Sequence, residues 1–194
     1  MACVLALGCA HPSEAPRWAH GGQSCPADAP VVELPAAQRD SLEPVPASRA
    51  TINDQWAQAA RELPGGFAGK MLEGGLVVFL VDTTQRDAAL AALAARKGLE
   101  GRDPKRVTVR KVRWNYAQLN DWYRYLNLHV WRDSGVVTGG IDAAHNNITY
   151  GVTDESARRR VERLLAKLRP PPPCFLAAIE ITGPFEPESH VKVQ

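Results

Sequence analysis

Leu76-Val77-Val78-Phe79-Leu80-Val81-Asp82 is an unbroken apolar run that ends on an acid and leads straight into Thr83-Thr84-Gln85-Arg86-Asp87. A short continuous apolar run bounded by turn residues reads as a strand covered on both faces, and the closing acid as the start of a helix. Thr84 with Asp87 has the form of a capping box, opening a helix through Lys97 with Leu90 and Leu93 facing inward and Gly98 closing it. The same arrangement returns at Ile148-Thr149-Tyr150-Gly151-Val152-Thr153-Asp154, again a strand running through an Asp into a helix, here Thr153 to Leu168.

Working outward from these two strands, each has a hairpin partner before it and a further strand after its helix. Phe67 to Glu73 precedes Gly74-Gly75, a turn dipeptide, and Val136 to Asp142 precedes the polar turn His145-Asn146-Asn147. On the far side, Val107 to Val112 alternates Val with Thr, Arg and Lys, as a half-buried strand does, and Cys174 to Ile181 supplies its counterpart. Two β-β-α-β units follow from this order, and their alignment through Leu76–Asp82 and Ile148–Asp154 reads as an internal duplication. Asn115 to Leu128, with Tyr116, Leu119, Trp122, Tyr123 and Leu126 at helical spacing and Asn115 as cap, is the helix that links them. A helix before the first unit is expected from Ile52, Trp56, Ala59, Ala60 and Leu63, ended by Pro64-Gly65-Gly66. The fold class is therefore α+β, with helices packed on antiparallel or mixed sheet.

The composition fits a folded chain. Of 194 residues, 45% are hydrophobic and 23% charged, and the formal net charge is only +2, too small to imply a polyanion partner by bulk attraction, so no nucleic acid is expected. No spacing of Cys and His suggests a metal, and no glycine loop has the context of a phosphate cradle; no cofactor is expected.

The N-terminus reads as a signal. Ala6-Leu7-Gly8-Cys9 closes an apolar run and resembles a bacterial lipobox, in which the Cys is acylated; on that resemblance residues 1–9 are a signal remnant and Cys9 the lipid attachment site. Residues 10–48 carry Pro12, Pro16, Pro26, Pro30, Pro35, Pro44 and Pro46 and are expected to form a tether, with Val31-Val32-Glu33-Leu34 as a short strand at most and order beginning near Thr51. The duplicated body then spans 49–181 and an extended tail 182–194. Export, to the outer membrane or the periplasmic face as a lipoprotein or otherwise as a secreted or periplasmic protein, leaves Cys25 and Cys174 as the two thiols. They either pair in a disulfide or stay separate.

The most specific local string is Gly139-Gly140-Ile141-Asp142-Ala143-Ala144-His145-Asn146-Asn147-Ile148-Thr149-Tyr150. Asp142 can accept from turn amides, and an Asn can take the left-handed conformation that returns the chain. The Asp142-x-x-x-Asn146 core, followed by alternating β-formers, resembles the pro-segments of secreted bacterial chymotrypsin-fold serine proteases, the alpha-lytic protease and streptogrisin group. The resemblance covers about residues 65 to 181. It implies a domain that inhibits a protein partner or assists its folding, pairing strands with it and laying a C-terminal tail into its cleft. Thr138-Gly139-Gly140 stands where the family has an aromatic, and residues 182–194 are all that follow, so the pro-segment is expected to stand without its protease domain.

A non-catalytic envelope protein is the expectation, with another envelope or secreted protein such as a protease as partner, the membrane reached through the lipid anchor, and contact made through a sheet edge or through the tail residues Phe185, Val191 and Val193. The alternative is a small envelope enzyme or ligand-binding protein using the Asp142-His145-Asn146 turn, with Asp154 near in sequence and aromatics such as Tyr125 and Trp131 exposed around it. Against catalysis, Ser134 lacks the flanking glycines of a protease serine motif, and a hairpin tip points its side chains to solvent. The basic helix carrying Arg158, Arg159, Arg160, Arg163 and Lys167 reads first as a solvated face.

Overall fold

The computed structural model describes residues 31–99, 101–168 and 177–183. Two three-stranded mixed sheets form the body, each the product of one β-β-α-β unit. In the first, β1 (Phe67–Leu72) pairs antiparallel with β2 (Leu76–Leu80), α3 (Arg86–Ala95) crosses over, and β3 (Thr108–Lys111) returns parallel to β2. In the second, β4 (Val136–Asp142) pairs antiparallel with β5 (Asn147–Val152), α5 (Glu155–Leu168) crosses over, and β6 (Ala177–Ile181) lies parallel to β5.

The duplication extends to single hydrogen bonds. Phe67 faces Leu80 and Val136 faces Val152, and each hairpin carries a bulge just beyond that pair, at Ala68 and at Val137. Val81 N–H donates to the Gly66 carbonyl at 3.2 Å, and Thr153 N–H to that of Gly135 at 2.8 Å. Val112 N–H reaches the Leu80 carbonyl and Thr182 N–H that of Val152, both at 2.9 Å. On the central strands, Leu80 with Val152 and Val81 with Thr153 fall in the register set by laying Leu76–Asp82 over Ile148–Asp154.

Two acids at equivalent positions start the two crossover helices, but differently. The Asp154 carboxylate accepts from Ala157 N–H at 2.9 Å and so caps α5 directly. Asp82 instead holds a 3-10 turn over Thr83–Gln85, accepting from the Thr84 amide and hydroxyl and from the Gln85 side chain. The expected Thr84–Asp87 capping box does not form, because Thr84 has already turned its hydroxyl back to Asp82. At the other end α3 stops at Ala95, and Lys97 adopts the left-handed φ of 57° while Gly98 N–H closes onto the Leu93 carbonyl.

Helix α4 (Tyr116–Val130) joins the units, opened by a capping box in which Asn115 accepts from Gln118 N–H and Gln118 from Asn115 N–H. Tyr116 and Ala117 belong to the first core, with Leu76, Val78, Leu80, Leu90 and Leu93; Leu119, Trp122, Leu126 and Val130 belong to the second, with Ile148, Tyr150, Val152, Val161 and Leu165. Helix α2 (Ile52–Glu62), capped by Thr51 and Asp54, lays Ala57 and Ala60 into the first core and packs on α4 and β1. Ile52, expected on its apolar face, is 59% exposed at the helix's first turn.

The expected tether and its boundary need correction over the described part of 10–48. Leu34 is 1% exposed within the second core, the Trp122 indole N–H donates to the Val32 carbonyl at 3.0 Å, and Arg124 bonds the Glu43 carbonyl. Residues 31–34 form no strand, and a short helix, α1 (Ala36–Asp40), follows them. Proline spacing forbids long helices but does not prevent an extended segment from burying one leucine. Order therefore begins well before Thr51.

Candidate functional site

The β4–β5 turn is built around one carboxylate. Asp142 Oδ1 accepts from Ala144 N–H at 2.9 Å and His145 N–H at 3.0 Å, while its Oδ2 lies 2.7 Å from His145 Nδ1. Partial burial pushes the Asp142 carboxyl up, but the His145 amide and ring outweigh it and hold the group below its usual range. For the same reason the His145 ring is raised, first by its hydrogen bond to Asp142 and then by that charge, with Glu180 adding a little.

Asn146 takes the left-handed conformation, φ 54°, as the Asp-x-x-x-Asn string leads one to expect. Its side chain does more than turn the chain. Asn146 Oδ1 accepts from the N–H groups of Arg113 (3.0 Å) and Trp114 (2.8 Å), and Nδ2 donates to the Trp114 carbonyl (2.8 Å). The tip of the second unit is thereby fastened to the segment between β3 and α4. Beside it Ala143 packs on the outer face of the first sheet, with Ala68, Val77, Phe79, Met71 and Val112. Gly69 allows that approach, since a Cβ there would stand 2.7 Å from the Ala143 Cβ.

Between this tip and the end of β3 lies an open groove of about 370 Å³, lined by Lys111, Arg113, Trp114, Ala144, His145 and Asn146. His145 stands at its rim with 77% of its side chain exposed. The chain therefore brings Asp142, His145 and Asn146 together, whereas Asp154 is engaged in capping α5. Ser134 is exposed in the α4–β4 connection. No three His, Cys, Asp or Glu side chains gather as metal ligands among the described residues. A cleft of about 170 Å³ between the N-terminal segment, α2 and α4 is lined by ion-paired side chains, with Asp121 held by Arg61 and Arg39.

No protein-family model matches this chain, and no curated protein does. Cys9, Cys25, Cys174, Phe185, Val191 and Val193 lie outside the described residues. Among the described residues no helix is long and apolar enough to cross a membrane. Trp131 is 45% exposed and Tyr125 half-buried, while Trp114, Tyr116 and Trp122 serve the cores. On α5, Arg159 and Arg160 are exposed and paired with Glu155 and Asp133, as on a solvated face, whereas Arg158, between Glu155 and Glu162, keeps only 17% of its side chain exposed.

Sequence reasoning passed over the cations at the end of β3 that share the groove with His145. The signal was present: Lys105-Arg106-Val107-Thr108-Val109-Arg110-Lys111-Val112-Arg113 holds five cations and no acid. The alternation points to the valines, and only the fold shows that the strand lies at an edge of its sheet.

Proposed function

We propose that this chain is a non-catalytic protein-binding domain of the bacterial cell envelope, of the inhibitor or folding-assistant kind that protease pro-segments represent. The observation that carries the reading is that the outer strands of each sheet pair on one side only among the described residues, the returning strands β3 and β6 as well as the hairpin strands β1 and β4. Such an edge offers a partner a row of unpaired amide and carbonyl groups. The Asp142–His145 pair supports binding over catalysis, because it sits at an exposed tip and is spent on ordering its own turn. Ala6-Leu7-Gly8-Cys9 supports delivery to the envelope on an acyl chain at Cys9, where the partner would be another exported protein.

The test is a photo-crosslinking residue placed at Thr108 on β3 or at Ile181 on β6, in cells making the full chain. A discrete protein adduct from either position is the expected result. Adducts to lipid or glycan alone would overturn the reading. A second reading, ligand binding by the turn, draws on the groove beside His145; it requires that His145→Ala abolish activity on, or binding of, a small molecule while leaving the protein adducts intact.

A further inference from the structure

Each sheet has two outer strands, the hairpin strands β1 and β4 on one side and the returning strands β3 and β6 on the other, and the two returning edges are not alike. β6 reads Ala177-Ala178-Ile179-Glu180-Ile181, while β3 and its flanks carry the cationic run from Lys105 to Arg113. Lys105, Arg106, Thr108, Arg110 and Lys111 are all exposed. The acids that face this strand are few: Glu73 pairs with Arg110 at 2.8 Å, and Asp82 lies near enough to Lys111 to feel its charge.

The backbone of β3 can be assigned side by side. Val112 N–H donates to Leu80 on β2, so Arg110 and Val112 turn their amide and carbonyl groups inward, and Val109 and Lys111 turn theirs outward. Arg113 continues the outward series, and there the N–H is taken by Asn146 from the second unit. The hairpin tip thus seals one end of the edge and leaves the positions of Val109 and Lys111 open. Beyond Lys111 the edge runs into the groove rimmed by His145.

We infer that the outer edge of β3 takes an extended acidic segment of the partner polypeptide as an added strand, with Arg106 and Lys111 paired to its carboxylates. This rests on the protein-binding reading above and names the edge and the partner's chemistry. Outward amide and carbonyl groups select a polypeptide backbone, which a nucleic acid or acidic glycan does not offer; the flanking cations select its charge. Cations on an edge also keep strands from pairing indiscriminately, which makes an acidic strand the one kind the edge admits.

The probe is a fluorescein-labelled peptide of alternating Glu and Val, titrated into the full chain and followed by anisotropy. Saturable binding is expected, weakening as salt is raised, and falling about ten-fold or more in the Arg106→Glu, Lys111→Glu double variant. Methylating alternate backbone nitrogens of the peptide leaves its charge intact and should abolish binding. Equal binding of the methylated peptide, of an alternating Lys and Val peptide, or of a DNA oligonucleotide of matched charge would overturn the inference, as would no binding at all. The crosslinks separate this inference from its parent: a protein adduct at Ile181 with none at Thr108 sinks the β3 assignment and keeps the protein-binding reading, and no protein adduct at either position sinks both.

Discussion

Asn146 makes three hydrogen bonds to backbone groups more than thirty residues away, from a dihedral region that only glycine enters freely. Net contributions of roughly 0.5–1.5 kcal/mol per bond put Asn146→Ala at about 2–3 kcal/mol, with added backbone cost at positive φ. Asn146→Gly should lose the bonds but not suffer the dihedral, so denaturant titration should rank wild type, Gly, then Ala; an Ala variant as stable as the Gly variant would contradict this. The neighbouring pair sets a pH dependence. His145 is raised above 6.5, so its contribution is fully present below that value and fades as pH climbs through the folded-state midpoint. Asp142 is lowered below 3.8, so its contribution is present above that value and is lost as pH falls through its own folded midpoint. The pair is complete only between the two midpoints. Because His145 is largely exposed, the effect on stability is about a few tenths of a kcal/mol. An NMR titration should place its ring above 6.5, and Asp142→Asn should return it toward that value.

Two glycines in β4 and its approach show how an element can depend on a missing side chain. A Cβ on Gly135 would stand 2.4 Å from that of buried Ala157 in α5, whereas one on Gly140 would meet nothing within 4 Å. Gly135→Ala must push α5 off its sheet and should cost about 1–3 kcal/mol; Gly140→Ala should leave the thermal midpoint close to wild type. Comparable midpoints for the two would contradict the packing. The elements themselves were largely legible. The apolar runs at Leu76 and Ile148, the Asn115 cap and the Thr153–Leu168 periodicity led to strands and helices within a few residues of where they lie. What could not be read was relation across the chain. Asx chemistry around Asp142 was visible in the sequence, but that Asn146 reaches over to Trp114, or that Asp82 draws Thr84 away from capping α3, depends on distances set only after folding.

At the scale of the molecule, α4 enters both cores, Ile141 touches both, and Asn146 ties the second unit to the first. The two halves should unfold together. Near-ultraviolet signals from Trp56, beside the first core, and Trp122, within the second, should move in one transition, and separate midpoints would show that the junction is weak. The N-terminal segment belongs to this unit as well: Leu34→Ala should cost about 2–5 kcal/mol, as for any leucine removed from a packed interior, and an unchanged denaturation midpoint would restore the idea of a loose tether. Proline content concealed that role, because the burial depends on a single side chain and not on periodicity.

The seat of Ala143 against Val77 and Phe79 also has a bearing on synthesis. The ribosome delivers the first unit complete in its own strands and helix, yet part of the wall behind its central strand is still unsynthesised when it emerges. The outer face of that half therefore stays partly uncovered until the later hairpin has been made and can be pressed into place.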